Sequence, residues 1–418
     1  MGANVSDIAS SEFPVAAAPA AGNVAKARFT GNPREFRNLM IRGALLQVVT
    51  LGIYRFWLTT DARRFLWANT EIAGDSLEYA GTAIELFLGF LIAIALMVPI
   101  FVLIALGSLS LGFFAQISGA AGYLALAAFG QFAYFRARRY RLTRTVFRGL
   151  RFHQTGSATK YALRSLLWSV PVLLTLGLAY PWAQASLERY KMAHTHYGDL
   201  QGKFAGTGTA LFRRGIVLWL LLAGAFLMVG LAADEFGDAA ALRRVARDPA
   251  VGTTALIVTG LTIGFLLLCA LVYTILQGII LRWWLAGLRF GPVVVTTKLK
   301  KRQVVGAYLR CFLYVLFLLI VLSLVVGALA GLFALGMSAT TEANQIMGLI
   351  LVACLYLSLA VGSWVIYQLT IKFSIWRMAV NSVGLAGFDA IERVRADDTR
   401  PSSAVGEGLV DALGAGGI

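Results

Sequence analysis

The feature that most restricts this chain is a series of long uncharged runs. Leu86 to Leu106, Leu111 to Phe135, Ala250 to Leu281, Cys311 to Met337 and Gln345 to Ile371 carry no charged residue, and Leu211 to Ala233 is nearly as apolar. About 20 apolar residues suffice for a helix to cross roughly 30 Å of hydrocarbon, so each of these six is long enough to span. The whole chain agrees: 58% of its residues are hydrophobic and only 14% charged, whereas a soluble domain carries about 25% charged residues. The mean hydropathy is +0.74. This is the sequence of a polytopic membrane protein.

Charge then orients the runs. The net charge of +16 is concentrated beside them, the pattern set by the positive-inside rule and by anionic headgroups rather than by nucleic acid. Arg136 to Arg151 holds seven Arg and no acidic residue, and an acid-free basic loop runs from Arg282 through Arg289 to Lys298, Lys300, Lys301 and Arg302. Two further apolar runs are harder to place. Only twelve uncharged residues lie between Arg42 and Arg55, and Ser165 to Leu187 contains Pro171 and Pro181. Six spans paired as three hairpins, with these two runs not crossing, put every basic segment on one side and the links at 107–110, 234–248 and 338–344 on the other. The expected fold class is therefore an all-α polytopic membrane protein: six spanning helices as three hairpins, two non-spanning broken helices, and both termini cytoplasmic.

Those two short runs are copies of each other. Thr50, Leu51, Gly52, Trp57, Arg64, Thr70 and Gly81 recur, 125 residues later and without a gap, as Thr175, Leu176, Gly177, Trp182, Arg189, Thr195 and Gly206; ten of 33 aligned positions are identical. This reads as an internal duplication. A third partial copy at an offset of 75 turns Arg64 and Thr70 into Arg139 and Thr145. In the first copy, Asn69 to Ile72 and Ser76 to Tyr79 flank Ala73-Gly74-Asp75, a short β-hairpin signature. Thr145 to Phe152 and His194 to Phe204 fit the same reading, so β-hairpin-like motifs are expected at the cytoplasmic surface. Gly52 and Gly177 are expected to be the turning points of the two broken helices, with a Thr hydroxyl two residues earlier satisfying a backbone carbonyl freed by each bend.

The repeated Thr50-Leu51-Gly52-Ile53-Tyr54 with Trp57, and Thr175-Leu176-Gly177-Leu178 with Tyr180-Pro181-Trp182, resembles the motif of the bacterial YjgN family, a domain-of-unknown-function group, over roughly residues 28 to 395. The resemblance implies an integral inner-membrane protein of a Gram-negative bacterium. It brings no activity and no catalytic residues.

The expected organisation is a disordered tail (1–28), a duplicated membrane unit (29–210), a second hairpin with its basic loop (211–306), a third hairpin with a basic exit (307–395) and a disordered tail (396–418). Chemistry-bearing clusters are scarce. Cys269, Cys311 and Cys354 lie far apart inside apolar runs, which speaks against a disulfide or metal framework. His194 and His196 lack a third ligand of suitable spacing. Glu85 sits one residue before an apolar run, at an interface, and no hydrolase, protease or phosphate-loop motif occurs in a context that would use it. No catalytic role, cofactor or metal is expected. Arg136, Arg138, Arg139 and Arg141 are expected to face anionic lipid, which with other membrane lipids is the expected partner. Two function classes remain: a membrane-structural protein that binds anionic lipid or a partner, and a transporter or channel with a midplane site between the repeated broken helices.

Overall fold

The computed structural model describes residues 24–108, 113–234, 249–336 and 341–394. Its organising unit is a helical hairpin followed by a strand hairpin. Ala25–Phe29 (β1) leads into Pro33–Val49 (α1) and Arg55–Ala68 (α2), then Thr70–Ile72 (β2) and Asp75–Tyr79 (β3). Ala83–Ser108 (α3) and Phe113–Thr143 (α4) follow, with Thr145–Phe147 (β4) and Leu150–Gln154 (β5). The scheme repeats with Ala158–Leu174 (α5), Tyr180–Ala193 (α6), Thr195–Tyr197 (β6) and Leu200–Phe204 (β7). Gly208–Asp234 (α7) and Pro249–Gly287 (α8) precede Leu288–Phe290 (β8) and Val293–Thr297 (β9). Last come Lys301–Gly336 (α9), Thr341–Tyr367 (α10), a π-helical turn at Gln368–Phe373, Ser374–Ser382 (α11), Val383–Ala386 (β10) and the short Asp389–Glu392 (α12).

These strands overturn the all-α expectation. All ten form a closed antiparallel barrel whose strands follow one another in sequence order, with β10 beside β1. An isolated two-stranded hairpin is marginal in water, and open edges are an aggregation hazard; closure answers both. The sequence conceals the barrel because its strands are three to five residues long, too short for an alternating pattern to stand out. The six-span expectation is corrected too. Five helices among the described residues are long and apolar enough to cross a membrane: Ala83–Gly107, Gly208–Leu231, Leu256–Gly287, Lys301–Gly331 and Ile346–Ser382. They mark the chain as a membrane protein. The run expected at Leu111 to Phe135 is not among them; it falls in α4, and its start lies outside the described residues. Of the expected links, 109–110, 235–248 and 338–340 lie outside the described residues.

Strand registers tie the two ends of each helical hairpin together. Phe29 pairs with Thr70 across α1 and α2, Tyr79 with Thr145 across α3 and α4, and Phe204 with Leu288 across α7 and α8. Across α5 and α6 the Thr155 amide donates to the His194 carbonyl at 2.8 Å, and across α9 to α11 the Lys298 amide donates to that of Ser382 at 3.0 Å. Each helical pair thus leaves the strand layer and returns to it. Helix starts are capped from the same short connections: Asn32 accepts from the Arg34 amide, Ser157 from Lys160 and Thr207 from Ala210. Thr82 and Glu85 cap each other reciprocally.

The chain divides into two compact, discontinuous units. One comprises Lys26–Gln154 and Lys298–Val383 among its described residues. Its core joins Phe29, Phe36, Met40, Leu58, Leu66, Trp67, Tyr79 and Phe373, with Phe36 stacked on Phe373 at 4.8 Å and Trp67 on Trp376 at 4.7 Å. The other comprises Thr155–Thr297 and the described part of Gly384–Asp397, around Ala185, Met192, Phe204, Leu211, Ile279 and Trp283. Phe36 is fully buried, so Phe36→Ala should cost about 3 to 5 kcal/mol in reversible unfolding of the detergent-solubilised protein followed by tryptophan fluorescence. Leu51→Ala, at a side chain 94% exposed, should change stability by less than about 0.5 kcal/mol.

Candidate functional site

The two Thr-Leu-Gly triplets end α1 and α5 in the same way. Leu51 and Leu176 stand at φ 50 and 49, and Gly52 and Gly177 at φ 90 and 92. A left-handed residue followed by Gly reverses the helix, and the carbonyls released at its end need new donors. The Gly52 amide donates to the Gln47 carbonyl and the Gly177 amide to that of Val172, both at 2.7 Å. Thr50 Oγ1 donates to the Leu46 carbonyl at 2.8 Å and accepts from the Tyr54 amide at 3.0 Å. Thr175 Oγ1 donates to the Pro171 carbonyl at 2.7 Å and accepts from the Ala179 amide at 3.0 Å. One hydroxyl therefore bridges the end of one helix to the start of the next.

Each tip rests on the helix that follows. Trp57 lies 6.3 Å from Phe87 of α3, and Trp182 lies 4.9 Å from Phe212 of α7; Phe87 and Phe212 are again 125 residues apart. Trp219 donates its indole N–H to the Leu176 carbonyl at 2.9 Å. Lower down, Arg64 donates to the Gly81 carbonyl at 3.0 Å and Arg189 to that of Gly206 at 3.4 Å, fixing the entry to the next helix. Thr70 and Thr195, both buried, donate to the carbonyls of Leu66 and Lys191, at 2.7 and 2.8 Å. The residues Thr50 to Gly81 belong to one compact unit and Thr175 to Gly206 to the other.

An arginine marks every return to the strand layer. Arg64, Arg139, Arg189, Arg282 and Arg377 each stand six residues before the first residue of β2, β4, β6, β8 and β10. The last two escape sequence reading because β8 and β10 carry no recognisable hairpin signature to count back from. Arg136, Arg138, Arg139 and Arg141 occupy the end of α4 and are half-buried. Guanidinium groups here lie over rings: Arg136 is 6.0 Å from the Phe132 centroid, Arg139 5.6 Å from Phe135 and Arg144 5.5 Å from Tyr140.

Carboxylates are tied locally. Glu85 accepts from Arg144 and, at 2.7 Å, from the Tyr140 hydroxyl. Burial, then the neighbouring Tyr79 and the Glu85 contact, push the Tyr140 hydroxyl well above the usual phenol range, so it remains a donor. In the other unit Glu188 and Lys191, one helical turn apart, form a buried pair at 2.5 Å, and Trp284 donates to the second Glu188 oxygen at 3.1 Å. Burial and Glu188 raise the Tyr180 hydroxyl. His194 Nδ1 lies 2.7 Å from the Tyr190 carbonyl. Among the described residues no three His, Cys, Asp or Glu side chains come together in a metal-binding group.

At Gly52 an added Cβ meets nothing within 4 Å, and at Gly177 only Trp219 at 3.9 Å. Any penalty for a side chain there comes from the backbone. Gly52→Ala and Gly177→Ala should each lose about 1 to 2 kcal/mol in the same unfolding measurement, and by similar amounts; a neutral result at one site alone would break the equivalence of the two turns.

No curated protein and no solved structure matches the chain. Residues 25–412 match the model of a family described as bacterial protein of unknown function (DUF898), the same group as the YjgN family. With nearly the whole chain covered, from the first strand to beyond the last, the protein belongs to the DUF898 family.

Proposed function

We propose that this is a non-enzymatic, membrane-structural protein of the bacterial inner membrane that binds anionic lipid along the strand-side ends of its helices. The observation that carries the reading is the arginine that recurs six residues before each returning strand, accompanied by guanidinium–ring contacts at Phe132, Phe135 and Tyr140. Arginine beside an aromatic ring is suited to the headgroup layer, where charge meets phosphate and the ring meets the acyl boundary. The same recurrence supports an internal repeat of five helix-hairpin and strand-hairpin units, of which the 125-residue duplication joins the two most alike.

Orientation follows from the same residues. Arg and Lys accumulate in the strand layer, at 136–151 and at 282–302, and the positive-inside rule assigns such a layer to the cytoplasm. β1 and β10 belong to it, so both termini are cytoplasmic on this reading. The short hairpins α1–α2 and α5–α6, with Leu51 and Leu176 94% and 79% exposed at their tips, enter the cytoplasmic leaflet and return. The partners are membrane lipids.

Two experiments test the proposal. Replacing Arg136, Arg138 and Arg139 by Gln should reduce the preference for phosphatidylglycerol over phosphatidylcholine nanodiscs at least tenfold, since each basic residue near an anionic surface contributes about 1 kcal/mol; an unchanged preference rejects it. In a background lacking Cys269, Cys311 and Cys354, cysteines at the exposed positions of Ser76 and Gln201 should both resist a membrane-impermeant thiol reagent in intact cells. Labelling from outside at either position rejects the cytoplasmic assignment.

A further inference from the structure

Within the unit that contains Thr155–Thr297, two like charges stand where a sheet ordinarily places opposite ones. β7 and β8 run antiparallel, with Gly202 against Phe290, Lys203 against Arg289 and Phe204 against Leu288. Directly opposed residues project to the same face with their Cβ atoms about 5 Å apart, and like charges so placed repel. Gly202 and Phe204 are buried, whereas Lys203 is exposed and Arg289 half-buried; the two cations share the outer side of this strand pair. The Nε of Arg289 is itself buried and has no hydrogen-bond partner. Among the described residues no carboxylate or carbonyl ties either side chain, and the buried carboxylate of the unit, Glu188, is held by Lys191 and Trp284.

The fold does not require this arrangement. In the first copy of the repeat, Tyr79 pairs with Thr145 as Phe204 does with Leu288, and the next position holds Glu78 against Val146. Glu78 and Lys203 are again 125 residues apart. The same strand crossing is thus made with one acidic and one apolar side chain. Where charges do face each other in the first copy they are of opposite sign, as with Arg28 and Glu71. A cation doublet with an orphaned guanidinium nitrogen, at a position whose backbone geometry is indifferent to charge, calls for an explanation outside the fold.

We infer that Lys203 and Arg289 form a two-pronged seat for a single phosphate group. The Arg289 fork, its Nε included, suits two phosphate oxygens, and the Lys203 ammonium supplies a compact charge for a third. A carboxylate offers only two oxygens, which the guanidinium alone would occupy. The phosphate comes from an anionic lipid headgroup or from free inorganic phosphate. This deepens the lipid-binding reading above and rests on it for the lipid source.

The test is native mass spectrometry of the full-length protein in neutral detergent, titrated separately with phosphatidylglycerol, inorganic phosphate and diacylglycerol, which has no phosphate. The wild type is expected to take up one phosphatidylglycerol saturably. The double variant Lys203→Glu, Arg289→Val, which installs the side chains found at the corresponding positions of the first copy, should bind at least about tenfold more weakly with an unchanged melting temperature. Lys203→Arg should stay close to wild type. Uptake of inorganic phosphate with the same dependence on the pair, and no lipid adduct, supports the seat and assigns it to the free ion. The Arg136, Arg138 and Arg139 triple variant should keep the single adduct, so failure of the surface reading is distinct from failure of the seat. No saturable adduct of either kind on the wild type, equal binding by wild type and the double variant, or uptake of diacylglycerol with the same dependence on the pair overturns the inference.

Discussion

A chain that leaves hydrocarbon must keep its backbone amides and carbonyls bonded at the point where the helix stops, because an unpaired group there costs several kcal/mol. Most of this structure is an answer to that constraint at repeated helix ends. The strand pairs Phe29–Thr70, Tyr79–Thr145 and Phe204–Leu288 take over hydrogen bonding within a residue or two of the helix. The threonine at the start of β2, β4 and β6 donates backward to the carbonyls of Leu66, Arg141 and Lys191. Closing the ring then leaves no strand edge in need of a partner.

The short hairpins solve the same problem without a strand. At the far end of α1 and α5 a helix and not a strand follows, and there a threonine hydroxyl serves both helices and a left-handed Leu-Gly pair makes the reversal. The tips differ in what steadies them: Trp219 donates to the second, while the first has Phe56 against Phe87 and Phe90 of α3. Identical turn chemistry thus survives a change of surroundings, as expected when the reversal is determined locally by residues within one turn of it.

How much of this could be read in advance depends on the range of each signal. Apolar runs and the Ala73-Gly74 and Arg148-Gly149 turns are local, and the chain places strands around both turns. The barrel is not local. β1 and β10 are more than 350 residues apart, β8 and β9 lie in what reads as a basic loop, and three-residue strands such as Leu288–Phe290 carry no alternation to recognise. Phe36 stacks on Phe373 across most of the chain, and Glu188 finds Trp284 nearly a hundred residues on. Such contacts are set by strand register, and register could not be seen until the strands were known.

Arginine has two roles in this architecture that sequence alone does not separate. Arg64 and Arg189 spend donors on the carbonyls of Gly81 and Gly206; they hold the chain together, and their charge is a consequence of needing a long multidentate donor. Arg63, the next residue to Arg64, donates from Nη1 to the Tyr79 hydroxyl instead. Neighbours on one helix are about 100° apart, so two adjacent arginines reach different partners, the Tyr79 hydroxyl and the Gly81 carbonyl. Lysine at 64 would lose the staple's fork. At Arg64 and Arg189 the recurring arginine takes the first role, and the positive charge that such residues bring to the helix ends also equips the strand layer to meet phosphate.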